Sequence, residues 1–297
     1  MKIDEIKNIL ILGSGTLGLR IGLASAINNY KVKIYDIHEE SFQKAIKIQD
    51  SILNQLVNES KLNENQIDAI KMRIEWTSDP EYAAKDADLI SESVPEDREL
   101  KKRVWKQFGD LCPAHTVFTT NTSYLLPSMF AEASGRPEKF CALHFHDVFN
   151  ANVVDIMPHP GTAPWMMPLL SDFGRSIGQT PVIMEKESYG YIFNSMLMAV
   201  LGAAGALVTY NITSIENVDR SWMGNFKMPM GPFGILDEIG LETAWHVTRN
   251  NKDEKSVRFA KLLESYVDQG KLGKKTGEGF YKYPDPAYKR EGFLEGE

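Results

Sequence analysis

The apolar run Ile9–Leu12, opened by Asn8, stops at Gly13, and Lys31–Tyr35 alternates polar with β-branched or aromatic positions. Both stretches read as short strands. Between them Arg20–Asn28 has a helical pattern, and its small residues Gly22, Ala24 and Ala26 allow close packing. Strand, helix and strand together have the length of one parallel crossover unit.

Residues 39–72 depart from that rhythm. A long amphipathic helix is predicted from Glu39 to about Leu62, with Phe42, Ala45, Ile46, Ile52, Leu53 and Leu56 on one stripe that Gln49 interrupts. A shorter helix follows, with Asn63 as its expected N-cap. The pair reads as a helical hairpin inserted between strands. Further strands are expected at Ile74–Thr77, Leu89–Ser93, Thr116–Thr120, Phe140–Phe145, Val153–Met157 and Pro181–Glu185, with helices at Glu96–Phe108 and Trp165–Ile177 among others. Beyond residue 187 only helices are expected: Tyr191–Tyr210, Ile215–Met223, Ile235–Asn250 and Ser256–Gln269. A switch from alternating α/β to all-α marks a domain boundary. The expected organisation is an α/β, Rossmann-like domain over residues 1–186 and an all-α domain over residues 187–297.

The chain has 297 residues, of which 43% are hydrophobic and 25% charged, so two domains can each form a core. Its 33 Lys and Arg against 40 Asp and Glu give a net charge of −7, which argues against nucleic acid or an anionic membrane as a partner. Two cysteines, Cys112 and Cys141, are too few for a disulfide scaffold and fit a reducing, cytoplasmic setting. The N-terminus does not read as a signal peptide, and no apolar run reaches the ~18 residues of a membrane span.

Gly13-Ser14-Gly15-Thr16-Leu17-Gly18 is a G-x-G-x-x-G between a strand and a helix, with Asp36 closing the next strand. In that setting Gly13 permits the turn, Gly15 lets a pyrophosphate approach the backbone, and Gly18 lets helix and strand pack closely. The helix N-terminus, with the N–H groups around Thr16 and Leu17, suits phosphate. Asp36 would accept hydrogen bonds from ribose hydroxyls and repel a 2′-phosphate. No Lys or Arg follows it at residues 37–39, so NAD is expected rather than NADP.

The glycine turn with Asp36, Glu92–Glu96 with Lys101, Asn121–Ser123, Leu143–Phe145, Gly190–Asn194, Pro229–Phe233 and Gly270–Tyr281 occur in an order that resembles the 3-hydroxyacyl-CoA dehydrogenase family. The resemblance covers almost the whole chain. It implies a Rossmann-like domain, a helical domain, a homodimer formed largely through the helical part, and NAD-dependent oxidation of a secondary alcohol. His144 matches the family's proton-accepting histidine, and Asp155 falls where the family usually has Glu. Ser123 matches the serine that hydrogen-bonds the substrate hydroxyl, and Asn194 the asparagine that orients the substrate. Asn121, Glu96 and Lys101 match residues near the nicotinamide and its ribose.

The chain departs from the family pattern at several positions. The family asparagine after the histidine is Asp147, so two acids compete as the partner of His144. The interval from His144 to Asp155 is about one residue short. The arginine that commonly follows the matching asparagine is Ser195. His144 and His146, with Asp147, Asp155 and His159, also form a potential N/O ligand set on a predicted strand; a cofactor-only reaction needs no metal, and none is expected.

On the hairpin, Ser51 is followed by Asn58-Glu59 where the family's CoA-contacting lysine would stand, although Lys44, Lys47 and Lys61 are near. Glu92–Glu96 and Pro158–Trp165 look more like branches that oxidise free hydroxy acids such as gulonate or carnitine. A short-chain 3-hydroxyacyl-CoA is the leading expected substrate and a free hydroxy acid the alternative. A non-catalytic NAD-binding protein is the third reading.

Overall fold

The computed structural model describes residues 1–296. The chain divides into two compact units, Met1–Ile192 and Phe193–Glu297.

The first unit is built on an eight-stranded sheet in the order β3-β2-β1-β4-β5-β6-β7-β8. Its strands are β1 (Asn8–Leu12), β2 (Lys31–Tyr35), β3 (Ile74–Thr77), β4 (Leu89–Glu92), β5 (Val117–Thr120), β6 (Phe140–Asp147), β7 (Ala151–Met157) and β8 (Thr180–Ile183). The pairings from β3 across to β6 are parallel, β6–β7 is antiparallel, and β7–β8 is parallel. The helices are α1 (Thr16–Ile27), α2 (Glu40–Asn58), α3 (Ile67–Lys71), α4 (Pro80–Ala84), α5 (Arg98–Leu111) and α6 (Met166–Ser176).

Core packing follows the apolar stripes. On the α5 side of the sheet, Trp105 and Phe108 are fully buried, and the Trp105 ring meets Phe140 at 4.8 Å between centroids. Burying a large apolar side chain of this kind contributes about 1.5–3 kcal/mol. Gln49, the polar break in the α2 stripe, is itself buried. The expected hairpin is present as α2 and α3. A 3₁₀ turn (Glu64–Gln66) precedes α3, and Gln66 Oε1 accepts the Asn63 N–H at 3.0 Å.

The second unit contains α7 (Phe193–Thr209), α8 (Ile215–Phe226), α9 (Pro232–Ile239), α10 (Leu241–Thr248) and α11 (Glu254–Val267). The single helix expected over Ile235–Asn250 is two helices. Gly240 separates them at φ +96, a conformation that an α-helix cannot continue through. Two buried carboxylates hold this unit's loops. Asp219 accepts the Phe233 and Gly234 N–H groups at 2.9 Å each, which caps α9. Asp237 accepts the Phe280 and Tyr281 N–H groups at 2.8 Å each.

Two other boundaries differ from expectation. Tyr191 is not helical: it is buried in the first unit with φ +54. Glu96 precedes α5 rather than lying in its first turn, because Asp97 takes the N-cap and accepts the Leu100 N–H at 2.6 Å.

Candidate active site

The glycine turn joins β1 to α1. Gly13 has φ +105, and a Cβ there would stand 2.7 Å from the Ser93 carbonyl oxygen; one on Gly18 would stand 2.1 Å from that of Gly13. Both positions therefore exclude a side chain. A Cβ on Gly15 would meet nothing within 4 Å, so the turn leaves open space beside its backbone. Gly15 is also the N-cap of α1, and no side chain caps that terminus. The N–H groups of the first turn, from Thr16 through Gly18, are thus available to a pyrophosphate. Asp36 is held by its surroundings: Oδ2 accepts from Ser14 N at 2.8 Å and Ser14 Oγ at 2.7 Å, and Oδ1 accepts from His38 N at 3.1 Å. A carboxylate has about four acceptor positions, so this anchored group retains capacity for a ribose hydroxyl. The turn and its acid fit a dinucleotide.

At the ends of β4 and β5, Lys101 is buried and bonds Glu92 Oε1 at 2.6 Å and the Val94 carbonyl at 3.1 Å. Glu92 Oε2 also accepts from Thr120 Oγ1 at 2.6 Å. Glu96 stands 3.4 Å from Lys101 Nζ and accepts from Thr122 Oγ1 and the Tyr124 N–H. Ser123, exposed, lies between those two contacts. Asn121 Oδ1 accepts the Phe145 N–H at 2.7 Å, which ties the end of β5 to the residue after His144.

His144 and Asp155 are direct partners in the antiparallel β6–β7 ladder. Both are nearly fully buried, at 3% and 2% exposure, and His144 Nδ1 lies 3.3 Å from Asp155 Oδ2. The register shifts by one between Phe145 and Asp147, where β7 carries one residue more than β6, and His144 and Asp155 pair on the far side of that irregularity from the turn. Asp147 is directed elsewhere: its Oδ1 accepts from Arg20 NH1 at 2.5 Å. The acid beside His144 is Asp155.

Tyr191 stacks on the His144 ring at 4.5 Å and 29°, and His146 meets it edge-on at 4.6 Å and 70°. Burial pushes the His144 pKa below its ordinary value, opposed by the Asp155 hydrogen bond. Burial pushes Asp155 upward, but the hydrogen bonds from His144 and His146 outweigh it and bring its pKa to about 2. The pair is therefore a neutral imidazole beside an ionised carboxylate.

His144, His146 and Asp155 place atoms of metal-ligand type within 4.8 Å of one another. The contacts made to Asp155, 2.9 Å from His146 Nε2 and 3.3 Å from His144 Nδ1, are hydrogen bonds to one oxygen. His159 is outside that group. Its Nε2 donates to the Pro137 carbonyl at 2.9 Å, and its Nδ1 accepts the Gly161 N–H at 3.1 Å. Asn194 lies in the first turn of α7, in the second unit. Sequence reasoning did not single out Glu92, Thr122 or the Asp155 contact of His146. An acid ending a strand with a lysine in the first turn of the next helix, and a second histidine at i+2, were the available signals.

A sheet with a nucleotide-binding turn at one crossover and a buried histidine–carboxylate pair on an added hairpin has the arrangement of a dinucleotide-dependent dehydrogenase. Comparison with known proteins narrows the class. The chain belongs to the 3-hydroxyacyl-CoA dehydrogenase family: the NAD-binding domain of that family matches residues 8–188 and its C-terminal domain residues 190–283. It is an NAD-dependent oxidoreductase of the 3-hydroxyacyl-CoA dehydrogenase type. Mitochondrial hydroxyacyl-coenzyme A dehydrogenase of Rattus norvegicus is 30% identical over 293 residues, 94% of this chain and 91% of that protein. Among solved structures, a diketoreductase described as acting on dicarbonyl compounds superposes with a TM-score of 0.87 at 36% identity, covering 94% of this chain and 99% of that one. The (S)-3-hydroxybutyryl-CoA dehydrogenase of Ralstonia eutropha gives 0.86 at 26% identity, covering 95% and 100%. No helix among the described residues is long and apolar enough to cross a membrane.

Proposed function

We propose that the protein interconverts a short-chain 3-hydroxyacyl-CoA and the 3-ketoacyl-CoA, with His144 as the proton-transfer base and Asp155 as its orienting acid. The observation that carries this reading is the buried His144–Asp155 pair in direct cross-strand register. Donation from Nδ1–H to Oδ2 leaves the lone pair on Nε2. Nε2 takes the substrate's hydroxyl proton as the C–H bond gives up its hydride, and Asp155 stabilises the imidazolium that forms. NAD, when bound, supplies the hydride acceptor. Ser123 hydrogen-bonds the substrate hydroxyl, and Asn194 orients the substrate. The Glu92–Lys101–Glu96 cluster with Asn121 supports the nicotinamide side of the site. Gly13 through Gly18 and Asp36 hold the adenosine half.

A second reading, a free hydroxy acid or ketone without CoA, is favoured by two observations. The diketoreductase has higher identity than the acyl-CoA enzyme structure. On the hairpin, Lys61 is also engaged by Glu59, at 2.8 Å. Assaying 3-hydroxybutyryl-CoA, gulonate and carnitine side by side, with NAD and NADP, separates the readings. Activity confined to the free acids replaces the acyl-CoA assignment, and equal use of NADP removes the role given to Asp36.

The active unit is proposed to be a homodimer through the second unit, where Met196, Leu207, Tyr210 and Ile212 are exposed apolar groups on and just after α7. Sizing at micromolar concentration should return twice the chain mass; a monomer rejects it. The buried thiols of Cys112 and Cys141 support a reducing compartment, with the cytoplasm as the proposed location.

A further inference from the structure

Asp155 Oδ2 receives two N–H groups from β6, and the closer is not that of His144. His146 Nε2 lies at 2.9 Å and His144 Nδ1 at 3.3 Å. An ionised carboxylate only accepts, so both nitrogens carry protons and both tautomers are fixed. His146 stands two residues along the same face of β6, on the diagonal from Asp155. The acid itself is short. Placed directly across the ladder, it reaches His144 only at the long end of hydrogen-bond distance. A single long contact would leave the carboxylate free to rotate about χ2, whereas a second donor on the same oxygen removes that freedom.

We propose that His146 is a positioning residue for the reaction: by holding Asp155 Oδ2 it keeps the proton of His144 on Nδ1 and the lone pair on Nε2. This rests on the His144–Asp155 reading above. Sharing one oxygen has a cost, because a carboxylate already serving His146 stabilises a protonated His144 less well. A positive charge on His146 would also oppose that proton. The other ionisable groups around the cluster are Tyr191, stacked on the His144 ring with its hydroxyl pKa pushed up by burial, Asp147, held by Arg20, and Glu96, which favours a proton on His144.

The test uses the full-length enzyme and whichever of 3-hydroxybutyryl-CoA, gulonate and carnitine the wild type oxidises. His146→Phe removes the donor, His146→Gln keeps an N–H near the Nε2 position without a titratable ring, and His146→Phe with Asp155→Glu supplies a longer acid. His144→Ala is the reference. His146→Phe should lower kcat about 10- to 100-fold, the cost of a misplaced catalytic group, with KM little changed. Its acid limb of activity should move to higher pH. Gln should retain most of the rate, and the added Glu should recover much of what Phe loses. NADH binding and Tm identify variants that fold, and metal analysis is run on each. Wild-type kcat and pH profile in His146→Phe overturn the proposal, as does equal damage in Phe and Gln, or stoichiometric metal lost with His146. If His144→Ala stays active, the underlying reading fails instead.

Discussion

Arg20, on the helix that follows the glycine turn, forms a 2.5 Å ion pair with Asp147 at the end of β6. The contact fastens the dinucleotide helix to the hairpin that carries His144, and it also commits the competing acid to a cation. Asp147→Asn should therefore weaken this tie while leaving the His144–Asp155 pair intact. Asp155→Asn should lower kcat about 10²–10⁴-fold, since an amide cannot stabilise imidazolium, and should leave NADH binding in place. Steady-state kinetics with a fluorescence titration decide it: a crippled Asp147→Asn beside a nearly silent Asp155→Asn means the other acid is the partner.

The pH dependence has a definite sign. Burial holds the His144 pKa below 6.5, so the ring is neutral at pH 7 and competent as a base. Alcohol oxidation should be flat through neutrality and fall as pH drops through that lowered value. Ketone reduction, which needs the imidazolium, should rise over the same range. Rate profiles in both directions check this; an oxidation limb above 6.5 contradicts it. Stability is linked in the same region. The unfolded histidine takes its proton first, so stability falls as pH drops from 6.5 toward the folded pKa. Asp155 adds to this at lower pH: its pKa falls from 3.8 to about 2, so its share, about 2 kcal/mol, is present above 3.8 and lost between those values.

Lys101 and Glu92 form an ion pair at 1% and 0% side-chain exposure. Replacing Lys101 with Met strands a buried carboxylate, and about 3–5 kcal/mol of stability should be lost. Changing Glu92 to Met as well should recover much of it. Thermal unfolding of the two single variants and the double gives the coupling directly; simple additivity would show that the pair is not energetically linked.

Lys44, Lys47 and Lys61 are the exposed cations of the α2–α3 hairpin region available to CoA phosphates. Changing all three to Gln should raise KM for 3-hydroxybutyryl-CoA with kcat nearly unchanged, because such contacts are uniform binding. The wild-type KM should rise with salt, since exposed charges are screened beyond roughly 10 Å at 0.1 M. A silent triple variant, with KM insensitive to salt, points to a substrate without CoA.

The sheet strands and their places in the chain were legible because each is a compact apolar or alternating run ended by turn residues. The glycine turn was legible because steric need restricts its residue types. Residues 235–250 misled, because helix periodicity runs straight through Gly240 and only its φ of +96 shows the break. Glu96 was assigned to the helix for want of knowing that Asp97 would take the cap. His144 and Asp155 were read through resemblance, since periodicity alone cannot separate a reacting histidine from a packed one. The contact of His146 with Asp155 depends on a cross-strand diagonal, a relationship that exists only once the hairpin has closed.

The proposed base and its acid occupy rungs of one antiparallel ladder, His144 opposite Asp155. Their separation is set by strand pairing, and the loop between the strands has no direct part in it. Residues added or removed between Asp147 and Ala151 should leave the His144–Asp155 distance alone so long as the ladder re-forms in the same register. A slip of a single rung would turn one of the two side chains through to the opposite face of the sheet and separate the pair completely. Chain length at this turn is therefore open to variation, while pairing phase is not.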